Sequence, residues 1–273
     1  TEDYHLTTTT IPVNLQDETK TIALPKRPDF IIPNADGSGY GLFLINCYNP
    51  PHPPTDDLKR FALAMNLNEN YLAHGIGAKT FATTMQSWLA TEKNAMIASQ
   101  LVTYWGGAIT NMNDDERHEQ ERLMWQEYRS QKAASVKQRL IRQLYYTVTD
   151  QATTDSLYNV WAEQTDQLLS KTDYTQIAYR LAMLKPQQWQ EILQTQRARI
   201  TNEDELRKFD FISRACTPDQ AVQQQLFQSL LKAENRRIEP WTASLLRLLN
   251  DRTREPFNNS YLRPGLDALI DVQ

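Results

Sequence analysis

Between Ala108 and Pro264 the chain contains no glycine, and eight of its 13 prolines lie at or before Pro54. Glycine and proline punctuate turns and end helices, so a long stretch nearly free of both can stay regular over most of its length. Within that stretch and just ahead of it, apolar residues recur at helical spacing. Phe81, Met85, Trp88 and Leu89 make one such set; Val136, Leu140, Ile141, Leu144, Tyr145 and Val148 make another; Trp241, Leu245, Leu248 and Leu249 close the series. Residues three and four apart share one helix face, which predicts amphipathic helices packed on one another. Roughly a dozen short helices are too many for a simple four-helix bundle, so stacked helical pairs are the economical solution. The fold expected is mainly α, an α-solenoid of armadillo or HEAT kind. No exact repeat is present; the expectation rests on helix number and length.

Start signals support these boundaries. Thr217-Pro218-Asp219-Gln220 reads as an N-cap threonine, a proline at the first helical position and a capping-box glutamine, and Thr201 with Asp204 reads similarly. Pro186 and Pro240 sit where a helix can begin but hardly continue. Asn113-Asp114-Asp115-Glu116 is a helix N-terminus, where carboxylates favour the dipole.

Residues 1–49 follow a different rule. Ile11, Val13 and Leu15 alternate with Pro12, Asn14 and Gln16, and apolar runs at Thr21 to Leu24, Phe30 to Ile32 and Tyr40 to Cys47 are separated by turn-forming sequences. Four short strands make one small sheet that needs a covering layer, hence a β-sandwich fragment dependent on a neighbour. Pro50, Pro51, Pro53 and Pro54 then form a stiff linker over 50–54. A helical C-terminal domain is expected over 55–273.

The net charge is -4, which argues against a nucleic-acid surface; that would show as a basic stripe. The longest apolar runs, such as Leu42-Phe43-Leu44-Ile45, are far short of the about 20 residues a membrane segment needs. The opening TEDYHLTTTT has neither the basic nor the apolar region of a secretory signal. Cys47 and Cys216 lack C-x-x-C spacing and read as small buried apolar residues rather than a disulfide. Gly37-Ser38-Gly39-Tyr40-Gly41 leads from a turn into a strand, the reverse of a phosphate-cradling loop, and reads as a hairpin turn.

The last seventy or so residues carry an ordered set: Phe209 and Ile212-Ser213-Arg214-Ala215, then Asn235-Arg236-Arg237-Ile238-Glu239-Pro240-Trp241, then Leu249-Asn250, Arg254, Ser260-Tyr261-Leu262 with Pro264, and Leu266 to Leu269 before Gln273. With Ile32-Pro33-Asn34-Ala35-Asp36-Gly37-Ser38-Gly39-Tyr40-Gly41 near the start, this resembles the closing part of the zinc aminopeptidases of the aminopeptidase N type. The resemblance implies a parent enzyme that uses one zinc ion in a thermolysin-like domain to remove N-terminal residues from peptides. This chain would be its non-catalytic C-terminal region: part of a β-sandwich, then a helical domain arching over the active site and enclosing a peptide chamber. The partners implied are the catalytic domain of the same parent and peptides. Asn34, Gly39, Tyr40, Arg237, Glu239, Trp241, Asn250, Arg254 and Tyr261 carry the family pattern and read as structural. The β part is shorter than a whole family sandwich, and the chain closes at Gln273 where many relatives continue.

The chemistry of the parent is not in this sequence. H-E-x-x-H places two imidazoles one helical turn apart for zinc and a glutamate to activate water. The nearest approach is His118-Glu119-Gln120-Glu121-Arg122, with a cation where the second ligand belongs; it reads as a solvated, charge-laced helix face. A Gly-x-Met-Glu-Asn loop for the substrate amine is also missing. No zinc is expected in this chain, and no catalytic residue. Arg236, Arg237 and Glu239 before Trp241 form either an anion clamp or, more simply, an ion pair fixing one helix against the next with Trp241 in the core. The competing assignment, from another class, is a stand-alone helical-repeat scaffold that binds a protein partner.

Overall fold

A computed structural model describes residues 9–14, 19–45, 54–255 and 257–267. The protein is mainly helical, with twelve α-helices among the described residues. The chain divides between Asn111 and Met112 into two compact units. Of the expected linker over 50–54, only Pro54 lies within the described residues, and Cys47 lies outside them.

In the first unit α1 (Asp57–Leu72), α2 (Ala78–Leu89) and α3 (Ala95–Ile109) pack on one another. Of the predicted face on α2, Phe81, Met85 and Leu89 are buried and Trp88 half-buried, and Leu67, Leu101, Trp105 and Ile109 are fully buried as well. Each such side chain contributes about 1.5–3 kcal/mol of transfer free energy. Asp56 caps α1 by accepting from the Lys59 amide at 3.0 Å, and Asn94 caps α3 through the amides of Met96 and Ile97. Helix α1 stops where His74 turns left-handed at φ 61° and the Gly75 amide returns to the Asn70 carbonyl.

The β-sandwich fragment expected over 1–49 is not seen: among the described residues none is a strand. A strand exists only when a second one satisfies its backbone, and here two carbonyls and one amide between Pro33 and Ile45 are met by helix side chains instead. Asn66 and Asn70, one turn apart on α1 and so on one face, are both buried. Asn66 Nδ2 donates to the Pro33 carbonyl at 2.7 Å, and Asn70 Nδ2 to the Phe43 carbonyl at 2.7 Å. Alternation survives locally without a ladder. Ile45 is buried and Phe43 half-buried, while Leu42 and Leu44 are exposed at 51% and 72%.

The second unit runs through α4 (Asp114–Ser130), α5 (Ala134–Thr147), α6 (Gln151–Glu163), α7 (Lys171–Leu184), α8 (Trp189–Ala198), α9 (Glu203–Ile212), α10 (Gln220–Leu230), α11 (Glu239–Leu249) and α12 (Leu262–Asp267). Helices contact partners one or two places along the chain: α4 meets α5 and α6, both α5 and α6 meet α7, α7 meets α8, and α9 and α10 meet α11. That pattern is repeat-like. Met124, Leu140, Ile141, Leu144, Leu157 and Ile177 form its fully buried core.

Asn113 caps α4, with Asp114, Asp115 and Glu116 in the first turn, as the sequence predicts. Two other starts differ from expectation. The N-cap of α10 is Asp219, which accepts from the amides of Ala221 and Val222, and Thr217 instead accepts from the Asp219 amide at 3.2 Å. The cap of α9 is Asn202, not Thr201. In both places a second good cap residue lies close by, and a carboxylate or amide competes well with a hydroxyl for helix amides. No helix of the described residues is long and apolar enough to cross a membrane.

Candidate functional site

The 3-10 turn Ser213–Cys216, the start of α10 and the turn Arg252–Arg254 border a half-open polar cavity of about 180 Å³. Cys216, Gln223, Thr253, Arg254 and Phe257 line it. Its position is set by Asp251, directly after α11. The Asp251 carboxylate accepts from the Thr253 amide at 3.0 Å and the Thr253 hydroxyl at 2.7 Å, which shapes the turn, and it takes Arg180 Nη1 of α7 at 2.8 Å. Arg180 is itself buried, and its Nε donates to the Val148 carbonyl at the end of α5 at 2.9 Å. The Asp251 carbonyl in turn accepts from Asn258 Nδ2 at 3.1 Å.

Inside that frame several polar atoms have no partner. Gln223 is 3% exposed; its Nε2 donates to the Thr217 carbonyl at 2.7 Å, and its Oε1 is buried and unbonded. Arg254 Nη2 reaches the same carbonyl at 3.3 Å, while its Nη1 is buried and unbonded. Asn258 Oδ1 and the Tyr261 hydroxyl, in the adjoining turn, are likewise buried and unsatisfied. Each such atom costs about 1–3 kcal/mol, and a charged one more.

Burial pushes the Asp251 carboxyl upward, but the Arg180 charge and the Thr253 hydrogen bonds outweigh it and hold the group below the usual carboxylate range. Burial also lowers the Arg254 guanidinium from its ordinary value, with the nearby Cys216, Asp251 and Tyr261 only partly opposing. The Cys216 thiol is pushed up to about 12 by burial, so it is neutral and not a nucleophile at ordinary pH.

Of the residues carrying the family pattern, the structure brings Arg254 and Tyr261 to this corner and disperses the others. Tyr261 stacks on Phe227 with centroids 4.5 Å apart. Asn250 ends α11, its Nδ2 donating to the Leu246 carbonyl at 2.9 Å. Trp241 is half-buried and packs against Phe211 at 6.1 Å. Arg237 and Glu239 are exposed, and Arg236 closes α10 by donating to the carbonyls of Leu230 and Leu231. In the first unit Asn34, at φ 48°, receives the Gly39 amide on its Oδ1 at 2.6 Å and donates to the Gly39 carbonyl at 3.2 Å. Tyr40 beside it is fully exposed.

The segment nearest to a zinc motif does other work. Glu121 is fully buried rather than solvated, and its Oε2 accepts from the amides of Thr149 and Asp150 at 2.8 and 2.7 Å, holding the turn into α6. Arg122 pairs with Asp150 at 2.6 Å. Glu121 is thus committed to the backbone and Arg122, standing where the second ligand of H-E-x-x-H would, to the Asp150 carboxylate. No family model matches the chain, and no curated protein or solved structure matches it either.

Gln223, Asn258, Arg180 and Asp251 escaped the sequence reading. Arg180 did leave a signal: it interrupts Ile177-Ala178-Tyr179-Arg180-Leu181-Ala182, a run apolar on every face, where a charge must be buried and paired. Gln223 left none, since α10 is rich in glutamine.

Proposed function

We propose that this chain is the non-catalytic C-terminal region of a zinc-dependent aminopeptidase, an α-solenoid that covers the active site of a separate catalytic domain and sets which peptides reach it. The observation that carries the reading is the work done by the closing signature. Phe209 is buried and stacked on Tyr179, Ala215 is fully buried, Asn250 ends a helix, and Arg254 and Tyr261 meet at the polar corner. Residues with such fixed and mutually dependent positions account for a motif recognisable by its order. The repeat-like packing of the second unit supports a curved helical stack, and a concave face is a suitable wall for a peptide chamber. The exposed Leu42 and Leu44 leave apolar surface for a neighbouring domain of the parent to cover.

The test is addition of a thermolysin-like aminopeptidase domain, encoded upstream in the same reading frame, to this chain in trans. A complex should form, and it should slow cleavage of long peptides more than of dipeptide-sized substrates, because only the former feel the chamber wall. No association, or equal slowing of both, rejects the reading in favour of an independent helical-repeat scaffold.

A further inference from the structure

We propose that the open groove between α5 and α7 is a binding site for a phosphate monoester. Arg139, Arg142 and Tyr146 line it from α5, and Thr172, Asp173 and Gln176 from the first two turns of α7. Asp173 is the one carboxylate among the lining residues, and it is saturated. Its oxygens accept from Arg142 Nε and Nη2 at 2.9 and 3.2 Å, from the Tyr145 hydroxyl at 3.0 Å, and from the Ser170 amide and hydroxyl at 2.9 and 2.7 Å. A carboxylate has about four lone-pair sites, so these donors leave none for a ligand. What the groove still offers is donors. Arg139 is exposed and makes no hydrogen bond or ion pair among the described residues, so its whole guanidinium fork is free. Asp173 leaves Arg142 Nη1 over as well, and the Thr172 side chain is exposed.

The charge selects a dianion. Arg247 of α11 adds to this wall: its guanidinium lies 4.6 Å from the centroid of the Tyr146 ring, and its Nη2 donates to Gln176 Oε1 at 2.9 Å. Arg139, Arg142 and Arg247 against Asp173 leave a surplus of two positive charges, in a chain whose net charge is -4. A cleft of one dominant sign concentrates ions of the other. A phosphate monoester carries about -1.5 to -2 at pH 7, and its oxygens match the guanidinium fork. The size selects an ester over free phosphate. An engineered cavity of about 150 Å³ admits a six-carbon ring. At about 360 Å³ the groove has room for such a group beside the phosphate, and the Tyr146 ring, 44% exposed, gives it an apolar wall. This assignment stands on the groove alone and is independent of the aminopeptidase reading.

The experiment titrates the full chain with phenyl phosphate, followed through the arginine side-chain NMR signals, with phenyl sulfate, inorganic phosphate and a short phosphotyrosine peptide as comparison ligands. Phenyl phosphate should bind in a saturable way, about 5-fold or more tightly than phenyl sulfate, which has the same shape and one charge fewer. Arg139→Gln should weaken it about tenfold or more, the effect of losing a charged hydrogen-bond partner. Arg139 has no partner to lose in the free chain, so this variant folds. Arg207→Gln removes an equally exposed charge on α9, outside the groove, and should leave binding unchanged. Tighter binding of the phosphotyrosine peptide than of phenyl phosphate would place the ester on a partner chain, and the reverse order would make it a free small molecule; both uphold the site. No saturable binding of phenyl phosphate, undiminished binding to Arg139→Gln, equal weakening by Arg207→Gln, phenyl sulfate binding as tightly as phenyl phosphate, or inorganic phosphate binding more tightly than either ester each overturns the proposal.

Discussion

Arg180 on α7 and Asp251 after α11 form a charge pair at 2.8 Å that spans 71 residues of sequence, and the same guanidinium donates to the carbonyls of Thr147 and Val148 at the end of α5. One side chain thus ties three distant segments together. Asp251→Asn leaves a buried guanidinium without its counter-charge, which is expected to cost about 3–5 kcal/mol in urea unfolding. Arg180→Met combined with Asp251→Asn should cost clearly less than the two single changes added, because the second removes an already widowed charge. Simple additivity would mean that the pair does not couple.

Stability should fall at both ends of the acidic range. Asp173 and Asp251 are pushed up by burial but held below the ordinary value of 3.8 by stronger opposing interactions: Arg142, Ser170 and Tyr145 for the first, Arg180 and Thr253 for the second. Their contribution is fully present above 3.8 and is lost as pH falls through the lowered values. Glu121 runs the other way: burial, only partly offset by the amides of Thr149 and Asp150, raises it above 4.5. Its contribution is present below 4.5 and is lost as pH rises through the raised value. Urea midpoints measured across pH should show a maximum between these limbs, and Glu121→Gln should flatten the upper limb alone.

Gly39→Ala should break the turn at Asn34. A β-carbon there would lie 2.7 Å from Phe43 Cζ and 2.9 Å from Asn34 Oδ1, closer than van der Waals contact permits. A cost of about 1–3 kcal/mol is expected from the overpacking, with further loss of the Asn34 bonds to the Gly39 amide and carbonyl. Asn34→Ala removes one of the two crowded neighbours together with those bonds and leaves Phe43 Cζ in place, so the double variant Asn34→Ala, Gly39→Ala should still be less stable than Asn34→Ala alone. Denaturant titration decides it.

The chain by itself should neither retain zinc after dialysis nor hydrolyse aminoacyl substrates. Glu121 and Arg122, the groups closest to a zinc motif in sequence, are bound to the amides of Thr149 and Asp150 and to the Asp150 carboxylate. Metal analysis and a fluorogenic aminoacyl assay check this. Stoichiometric zinc with turnover would falsify it.

What could be read from the sequence was whatever depends on periodicity. The helical faces at Phe81, Met85 and Leu89 and at Leu140, Ile141 and Leu144 are core, because burial follows spacing on a helix. What could not be read depends on partners remote in sequence. Glu121 looks like a surface carboxylate until the amides of Thr149 and Asp150 arrive over it, and Gln223 is one glutamine among several until Thr217 and Arg254 close round it. The strand readings failed for the same reason: alternation near Phe43 and Ile45 is real, but a strand is a property of two segments. At the polar corner, the unsatisfied atoms became visible only in three dimensions.

The asparagine pair on α1 fixes two carbonyls of a segment that precedes it in the chain. Asn66 and Asn70 share a face only on a formed helix, so the carbonyls of Pro33 and Phe43 have fixed donors only when α1 is helical. The anchoring of that segment is thus set by residues later in the sequence, whereas the turn between the two anchors closes on its own bonds, from the Gly39 amide to Asn34 and from the Ser38 amide to Asp36.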